Sequence, residues 1–273
     1  MAIPLVVGID GSEASLQAVD WAADEAVRHG VPLHLLHAAA GEHEASDVIS
    51  AASERAGERA STVALSSEVL HEDAASALVD RGRNAFALVL GARGLGDLTG
   101  LLLGAVSLAV AARADCPVVV VRGAVEHRDG RFGNVVVGVE EGEASGTALE
   151  FAFREAHVRG CRLTAVHAWN PSSRALTPRP ARSWYALEAH RRPPSQVLDD
   201  ALRGPARRYR DARVSPEVIE GPARRALLDA ASKADLLVVG ARSRQGHPGL
   251  QLGLINHALL HHAPCPVVVV PQI

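Results

Sequence analysis

The chain of 273 residues lacks the features that mark several protein classes. Its three cysteines, Cys116, Cys161 and Cys265, are too few for a disulfide framework and form no C-x-x-C pair, so neither a disulfide-rich fold nor a zinc or dithiol site is indicated. No apolar run reaches the roughly 18 residues that a membrane-spanning helix needs, and we expect no membrane span. Residues 1–10 lack the basic segment of a signal peptide, and we expect a cytoplasmic protein.

The composition is that of a globular protein with a substantial core. Hydrophobic residues make up 48% of the chain and charged residues 22%, and the length fits one or two domains. The small net charge of -3 hides an asymmetry, because residues 1–130 carry a net charge of -9 and residues 131–273 one of +6. The two halves of the chain therefore differ electrostatically.

Four sequence blocks of the first half return in the same order in the second half. Two return 130 residues later and two return 149 residues later, so the second copy is longer by 19 residues. Four matches in one order indicate two copies of one domain. The blocks are residues 5–10 with 135–140, 35–38 with 165–168, 88–93 with 237–242, and 116–121 with 265–270.

The repeat predicts a first domain over residues 1–123, a linker over 124–134 and a second domain over 135–273. Turn residues such as Asp129-Gly130 interrupt the periodicity of the linker. The extra residues of the second copy fall between about 169 and 216. Several prolines in that segment predict that much of it is a loop.

Short apolar runs alternate with helical patterns in each copy. Ser12 is placed to cap a helix that ends at Gly30. The apolar runs consist of nearly continuous Val, Leu and Ile, which predicts strands that helices cover on both faces. The alternation predicts an α/β fold with a parallel sheet and right-handed crossovers. In the first copy the predicted strands cover residues 3–9, 32–38, 68–70, 86–90 and 117–121.

Ligands of such a sheet bind beyond the carboxyl ends of its strands, where the strand order reverses. There the first copy places Asp10 after its first strand and the spacing Gly91-x-x-Gly94-x9-Gly104 after its fourth. A glycine loop that leads into a helix N-terminus offers free backbone N–H groups to a phosphate. The chain has no P-loop motif, and no G-x-G-x-x-G follows its first strand, which argues against a P-loop NTPase or an ordinary dehydrogenase.

These residues resemble the universal stress protein family. The resemblance rests on the glycine spacing, on AVS at residues 105–107, on CPVVVV at 116–121 and on VGIDGS at 7–12, and it covers nearly the whole chain. It implies two tandem Rossmann-like (adenine nucleotide alpha hydrolase-like) domains, each a five-stranded parallel sheet of order 3-2-1-4-5 with helices on both faces. Members often dimerise through the last strand, so we expect the two Val-Val-Val-Val strands to pair within the chain as a pseudo-dimer. A homodimer is the other arrangement that the resemblance allows.

One branch of the family binds ATP, which implies an adenine-nucleotide site for ATP, alone or with Mg²⁺, in the first domain. The family's nucleotide-binding pattern has Ser or Thr directly after the third glycine, where this chain has Ala105. A hydrogen bond to a charged group contributes about 1.5–3 kcal/mol, so its loss weakens binding about ten- to a hundredfold. The resemblance implies that Ile9, Asp10 and Ala38 hold the adenosine, and that Gly91, Arg93, Gly94, Gly104, Ala105, Val106 and Ser107 surround the ribose and phosphates.

The second copy departs further from this pattern. Ser243 replaces the second glycine, and Leu254 stands where the pattern has a small or hydroxyl residue. Both side chains intrude where the backbone must approach a phosphate, so we predict no ATP binding or only weak ATP binding there. The remaining residues of this degenerate second site are Glu140, Gly240, Arg242 and Gly253.

Two further groups of residues have competing interpretations. His257 and His261 are spaced to share a metal ion, but no third ligand is evident and these residues also complement a helix dipole, so we predict no metal site. Residues 174–213 hold ten arginines and four acidic residues, which attracts polyanions. That segment has few aromatic residues and no nucleic-acid-binding motif, so we expect a solvated surface rather than a nucleic-acid site.

The leading hypothesis is a tandem universal stress protein that binds ATP or another adenine nucleotide and acts as a stress-responsive regulatory or binding module. The alternative is a protein-interaction module of the same fold without a nucleotide, which Ala105 favours. A ligase or nucleotidyltransferase is disfavoured because the S-G-G-x-D-S and H-x-G-H motifs are absent. No pair of nucleophile and base can be assembled from the sequence, so we expect no enzyme, and slow ATP hydrolysis stays open.

Overall fold

The computed structural model describes residues 3–38, 42–94, 103–141, 145–170, 192–243 and 250–272. The strands are β1 (Leu5–Ile9), β2 (Leu33–Ala38), β3 (Leu65–Leu70), β4 (Ala87–Gly91), β5 (Val118–Val121), β6 (Asn134–Gly138), β7 (Arg162–Trp169), β8 (Arg213–Glu220), β9 (Leu236–Ser243), β10 (Leu250–Gln251) and β11 (Val267–Gln272). The helices are α1 (Glu13–His29), α2 (Glu42–Arg59), α3 (Ala74–Gly82), α4 (Ala105–Ala111), α5 (Val125–Arg128), α6 (Gly146–Arg159), α7 (Pro194–Arg208), α8 (Ala223–Ala231) and α9 (Leu254–His262).

One sheet contains all of these strands. Its order is β3-β2-β1-β4-β5-β11-β9-β6-β7-β8, with the short β10 paired antiparallel to β9. The α/β fold with two tandem domains is confirmed. The sheet differs from the prediction in one detail, because the second half contains the additional strand β10.

The two halves join through the antiparallel pair β5–β11, which we call the seam. Val119 lies opposite Val268, its own equivalent in the repeat, and both side chains are almost completely buried. The predicted pairing of the two valine strands within the chain is confirmed. Because the seam is antiparallel and each half-sheet is parallel, the strands of the two halves point in opposite directions, and their carboxyl ends lie at opposite edges of the sheet.

Local sequence signals explain where helix α1 begins and ends. The Ser12 hydroxyl accepts the N–H of Ser15 at 3.2 Å, which caps the first turn. Gly30 ends the helix with φ +62°, a left-handed conformation that glycine adopts without strain. Both predicted ends of this helix are confirmed. Helix α6, the equivalent of α1, ends in the same way at Gly160 with φ +61°.

Apolar side chains form one buried layer on each face of the sheet, and both layers extend across the seam. One layer joins Ala18 of α1 and Phe153 of α6 to alternate strand residues of both halves. The other joins Leu78 of α3 and Leu259 of α9 to the intervening strand residues. The two domains therefore share one core on each face instead of having two separate cores.

The linker, predicted as a turn segment, contains the one-turn helix α5 and is held against the second half. His127 Nδ1 donates a hydrogen bond to the Ala234 carbonyl at 2.6 Å. The carboxylate of Asp235 accepts hydrogen bonds from the N–H groups of Phe132 at 2.9 Å and Asn134 at 3.0 Å.

Helix α7 lies in the segment that was predicted to be mostly loop, and residues 171–191 of that segment lie outside the described residues. None of the described helices has the length and hydropathy needed to span a bilayer.

A buried charge cluster links α1 to α6. Arg159 Nη2 donates to Glu25 Oε1 at 2.7 Å, and His29 Nε2 lies 3.2 Å from Glu155 Oε1. These four side chains are between 3% and 7% exposed, and Arg28 also pairs with Glu25. The cluster repeats the symmetry of the seam, because Glu25 and Glu155 are equivalent residues and each pairs with a cation from the other half.

The charges of this cluster set its protonation state. Burial alone would lower the pKa of His29, but its hydrogen bonds to Glu155 and Glu25 outweigh burial and raise the pKa to about 9. Burial alone would raise the pKa of Glu25, but Arg159, His29 and Arg28 outweigh it and lower the pKa. Glu25, His29 and Glu155 also have the spacing of metal ligands. Arg28 and Arg159 already pair with Glu25, and a protonated His29 pairs with Glu155. These cations balance the buried carboxylates, and a divalent metal ion would add an excess of positive charge.

The cluster predicts that folding stability falls at alkaline pH. The contribution of His29 is fully present below about pH 6.5, the usual pKa of histidine, and is lost as the pH rises through about 9. A hydrogen bond to a charged group contributes about 1.5–3 kcal/mol. Because a His29→Gln variant has no such contribution to lose, its free energy of unfolding in urea should fall less between pH 7 and 10 than that of the wild type. The exposed His262→Gln is the control, and identical pH slopes for wild type and His29→Gln would contradict the assignment.

Candidate functional site

The first half-sheet has a pocket at the carboxyl ends of β1 and β4, where its strand order reverses. The cavity volume is about 490 Å³. The structure brings all ten residues of the predicted first site to this one cavity. They are Ile9, Asp10, Ala38, Gly91, Arg93, Gly94, Gly104, Ala105, Val106 and Ser107.

The carboxylate of Asp10 and the backbone of Gly94 face each other across this pocket. Asp10 Oδ1 accepts the N–H of Ser12 at 3.0 Å and the hydroxyl of Ser12 at 2.6 Å. A Cβ atom at position 94 would lie 2.6 Å from Asp10 Oδ2. Any side chain there would displace the carboxylate, so the glycine keeps the loop close to the acid.

Gly91 has a structural role that its place in the motif does not reveal. A Cβ atom at this position would lie 2.5 Å from the Ala14 carbonyl oxygen and 2.9 Å from the Ser15 nitrogen. The glycine therefore lets the first turn of α1 pack directly against the end of β4. It is required by helix packing whether or not a ligand is bound.

The start of α4 supplies hydrogen-bond donors, but fewer than the motif suggests. The N–H of Gly104 donates to the Ala92 carbonyl at 2.9 Å, and the Ser107 hydroxyl donates to the Gly91 carbonyl at 2.8 Å. The fold uses both of these donors. Within the described residues, no acceptor contacts the backbone N–H groups of Ala105, Val106 or Ser107. Arg93 is exposed and forms no ion pair with a described residue.

The second half-sheet has an equivalent, larger pocket at its opposite edge. The cavity volume is about 810 Å³, and Glu140, Gly240, Arg242 and Gly253 all line it. Arg242 Nη2 lies 2.9 Å from Glu140 Oε1. The Asn256 side chain donates to the Gly240 carbonyl at 2.8 Å and thus replaces the Ser107 hydrogen bond of the first half.

One contact between the two halves was not indicated by the sequence. The N–H of Leu103, which directly precedes Gly104, donates to His261 Nδ1 at 3.3 Å. The sequence allows two roles for this histidine, as a metal ligand or as a partner of the helix dipole. His261 lies in the last turn of α9, where it complements the helix dipole, and it also contacts the segment that leads into the first pocket, 158 residues away in the chain. No local sequence signal reports such a contact.

Two of the cysteines, Cys116 and Cys265, are held as thiols by their burial. Burial raises the pKa of Cys116 and of Cys265 to about 12. Both residues are buried in the apolar layer that contains α4 and α9. They fill space in the core.

The fold and these sites define a tandem α/β protein with one ligand-sized pocket at the switch point of each half-sheet. The chain belongs to the universal stress protein family, whose model matches residues 1–122 and 131–271. This membership supports a role in the stress response.

Curated relatives match along almost the whole chain. Universal stress protein Rv2623 of Mycobacterium tuberculosis is 31% identical over 293 residues, covering 98% of this chain and 96% of the relative. Universal stress protein Rv1996 of the same organism is 34% identical over 307 residues, covering 98% and 95%. The crystal structure of a universal stress protein from Archaeoglobus fulgidus has the same fold, with a TM-score of 0.68 at 18% identity over 100% of both chains.

The contact of Gly91 predicts a large loss of stability in Gly91→Ala. Its Cβ would overlap the backbone of α1, and overpacking of this kind costs about 1–3 kcal/mol or more. Gly57→Ala in α2 is the matched control, because a Cβ there meets no atom within 4 Å. That control should be neutral or stabilising by about 0.4–1 kcal/mol. Equal urea midpoints for the two variants would show that Gly91 is not required for packing.

Proposed function

We propose that the first domain binds ATP or a related adenine nucleotide and that the protein acts as a nucleotide-dependent regulatory module in the stress response. The main support is the convergence of all ten predicted residues on one pocket at the switch point of a parallel sheet, where such folds bind nucleotides. The cavity volume of about 490 Å³ is within the range of small-molecule sites.

The distribution of donors supports an anion at one end of this pocket. At the start of α4, the N–H groups of three residues have no acceptor among the described residues, and the nearby Arg93 forms no ion pair with any of them. The Asp10 carboxylate directly follows β1. Backbone donors and a guanidinium suit phosphate oxygens, whereas a carboxylate suits ribose hydroxyls. Asp10 is also the lining carboxylate that would help to hold a Mg²⁺ ion, most of whose ligands would be phosphate oxygens and water.

A protein-interaction module without nucleotide is the second candidate. It is favoured by Ala105, which supplies no hydroxyl, and by the Ser107 hydroxyl, whose hydrogen is donated to Gly91. Both observations reduce the number of side-chain donors for phosphate. Isothermal titration with ATP at high protein concentration separates the two candidates, because the interaction module would give no binding heat.

The site assignment predicts that Gly94→Trp abolishes ATP binding. The side chain would fill the space between Asp10 and the loop, so we expect at least a hundredfold loss of affinity, which corresponds to about 2.7 kcal/mol. Ser243→Trp, the equivalent change in the second domain, is the control and should leave ATP affinity within about twofold. The assignment is wrong if Gly94→Trp binds ATP as the wild type does.

Restoring the missing hydroxyl gives a second prediction. Ala105→Ser should tighten ATP binding about ten- to a hundredfold, because a hydrogen bond to a charged group contributes about 1.5–3 kcal/mol. The matched control is Leu254→Ser, which makes the same change after the equivalent glycine of the second domain. An unchanged ATP affinity in Ala105→Ser would show that position 105 does not contact the phosphates.

A further inference from the structure

We propose that the pocket of the second domain binds an unphosphorylated nucleoside. This extends the proposed function to a second site with a different ligand. The physical reason is that the second pocket keeps the features that suit a base and a ribose, while its phosphate side is built differently from that of the first pocket.

The base and ribose side is retained. Val139 and Ala168 line the second pocket at the positions that Ile9 and Ala38 have in the first. Glu140 follows β6 as Asp10 follows β1, and a carboxylate at the end of a strand can accept hydrogen bonds from ribose hydroxyls. These residues form a slot with apolar walls and an acceptor at its end.

A histidine acceptor also lines the second pocket, whereas its equivalent does not line the first. His167 is 6% exposed and lines the cavity, and its Nδ1 donates to the Val139 carbonyl at 2.9 Å. Because a carbonyl only accepts, the neutral ring presents Nε2 as an acceptor, and no described residue donates to it. The equivalent His37 makes the same bond to Ile9 but is not among the residues that line the first pocket. An exocyclic amine of a base is a donor that could satisfy Nε2.

The phosphate side has become part of the sheet. In the first half β4 ends at Gly91, and residues 92–94 follow it as a loop. In the second half β9 continues to Ser243. Within this extension, Arg242 pairs with Gln272 of β11 on one side and with Gln251 of β10 on the other. The backbone of this segment is therefore paired with neighbouring strands and does not form a loop around a phosphate.

The charge at this end also disfavours a phosphate. Arg242 pairs with Glu140, and Glu141 adds a second carboxylate to the lining. Leu254, which is 92% exposed, projects an apolar side chain beside the N–H groups at the start of α9. A phosphate would meet two carboxylates and would lose hydration against the leucine, whereas a nucleoside carries no charge to be repelled.

The test uses the full-length Gly94→Trp protein, in which the first pocket is filled, and isothermal titration with adenosine, AMP and ATP as probes. We expect one adenosine per chain, and AMP and ATP to bind at least tenfold more weakly. Ala168→Trp in this background should reduce adenosine affinity at least tenfold. Ala38→Trp, the same change in the first domain, should leave it unchanged.

Glu140→Gln provides an independent readout at an exposed side chain. It removes one negative charge and frees Arg242, so adenosine should bind more weakly and AMP more tightly, with the affinity ratio between them reduced at least tenfold. The proposal is overturned if the Gly94→Trp protein binds no adenosine, if it binds ATP at least as tightly as adenosine, or if Glu140→Gln leaves the ratio unchanged. Failure of the first-domain proposal is a separate result, because it appears as absent ATP binding in the wild type.

Discussion

The antiparallel pairing of β5 with β11 is the interaction on which the rest of the structure depends. Each half-sheet would otherwise end in an exposed strand of four valines, an edge that invites association with other chains. Pairing these two strands satisfies the backbone hydrogen-bonding groups of both edges. It also merges the apolar layers of the two halves on each face of the sheet. Because the central seam valines Val119 and Val268 are repeat equivalents that lie opposite each other, the pairing also relates the two halves by an approximate two-fold axis. The two pockets are consequently at opposite edges of one sheet.

The charge cluster between α1 and α6 repeats this symmetry among buried polar groups. A buried carboxylate is costly unless a cation pairs with it, so Glu25 needs Arg159 and Glu155 needs His29. Each pair joins the two halves, and the cluster therefore favours one relative position of the helices above the seam. Apolar packing supplies the driving force for joining the halves, whereas the charged groups add a geometric requirement.

The two pockets show how one topology supports different chemistry after duplication. Asp10 is short and is bound by Ser12, whereas Glu140, one methylene longer, reaches Arg242. Gly94 lies in a loop beside Asp10, whereas its equivalent Ser243 ends an extended strand. Two local differences thus separate a loop whose Arg93 forms no ion pair with a described residue from a strand whose Arg242 is paired with Glu140. The family fold positions both pockets, and the side chains at the strand ends determine which ligands suit each of them.

The residues of each pocket were implied by the family resemblance. Local patterns alone were enough to predict the two copies, the order of strands and helices, and the ends of α1 at Ser12 and Gly30. These follow from periodicity, capping and motif spacing, which act over a few residues. Only the packing of distant segments fixes the register of the seam, the antiparallel pairing of β9 with β10, the packing role of Gly91 and the His261 contact with Leu103. The pairing of Glu25 with Arg159 joins residues 134 positions apart. Such contacts depend on how distant surfaces meet, and no local pattern encodes that.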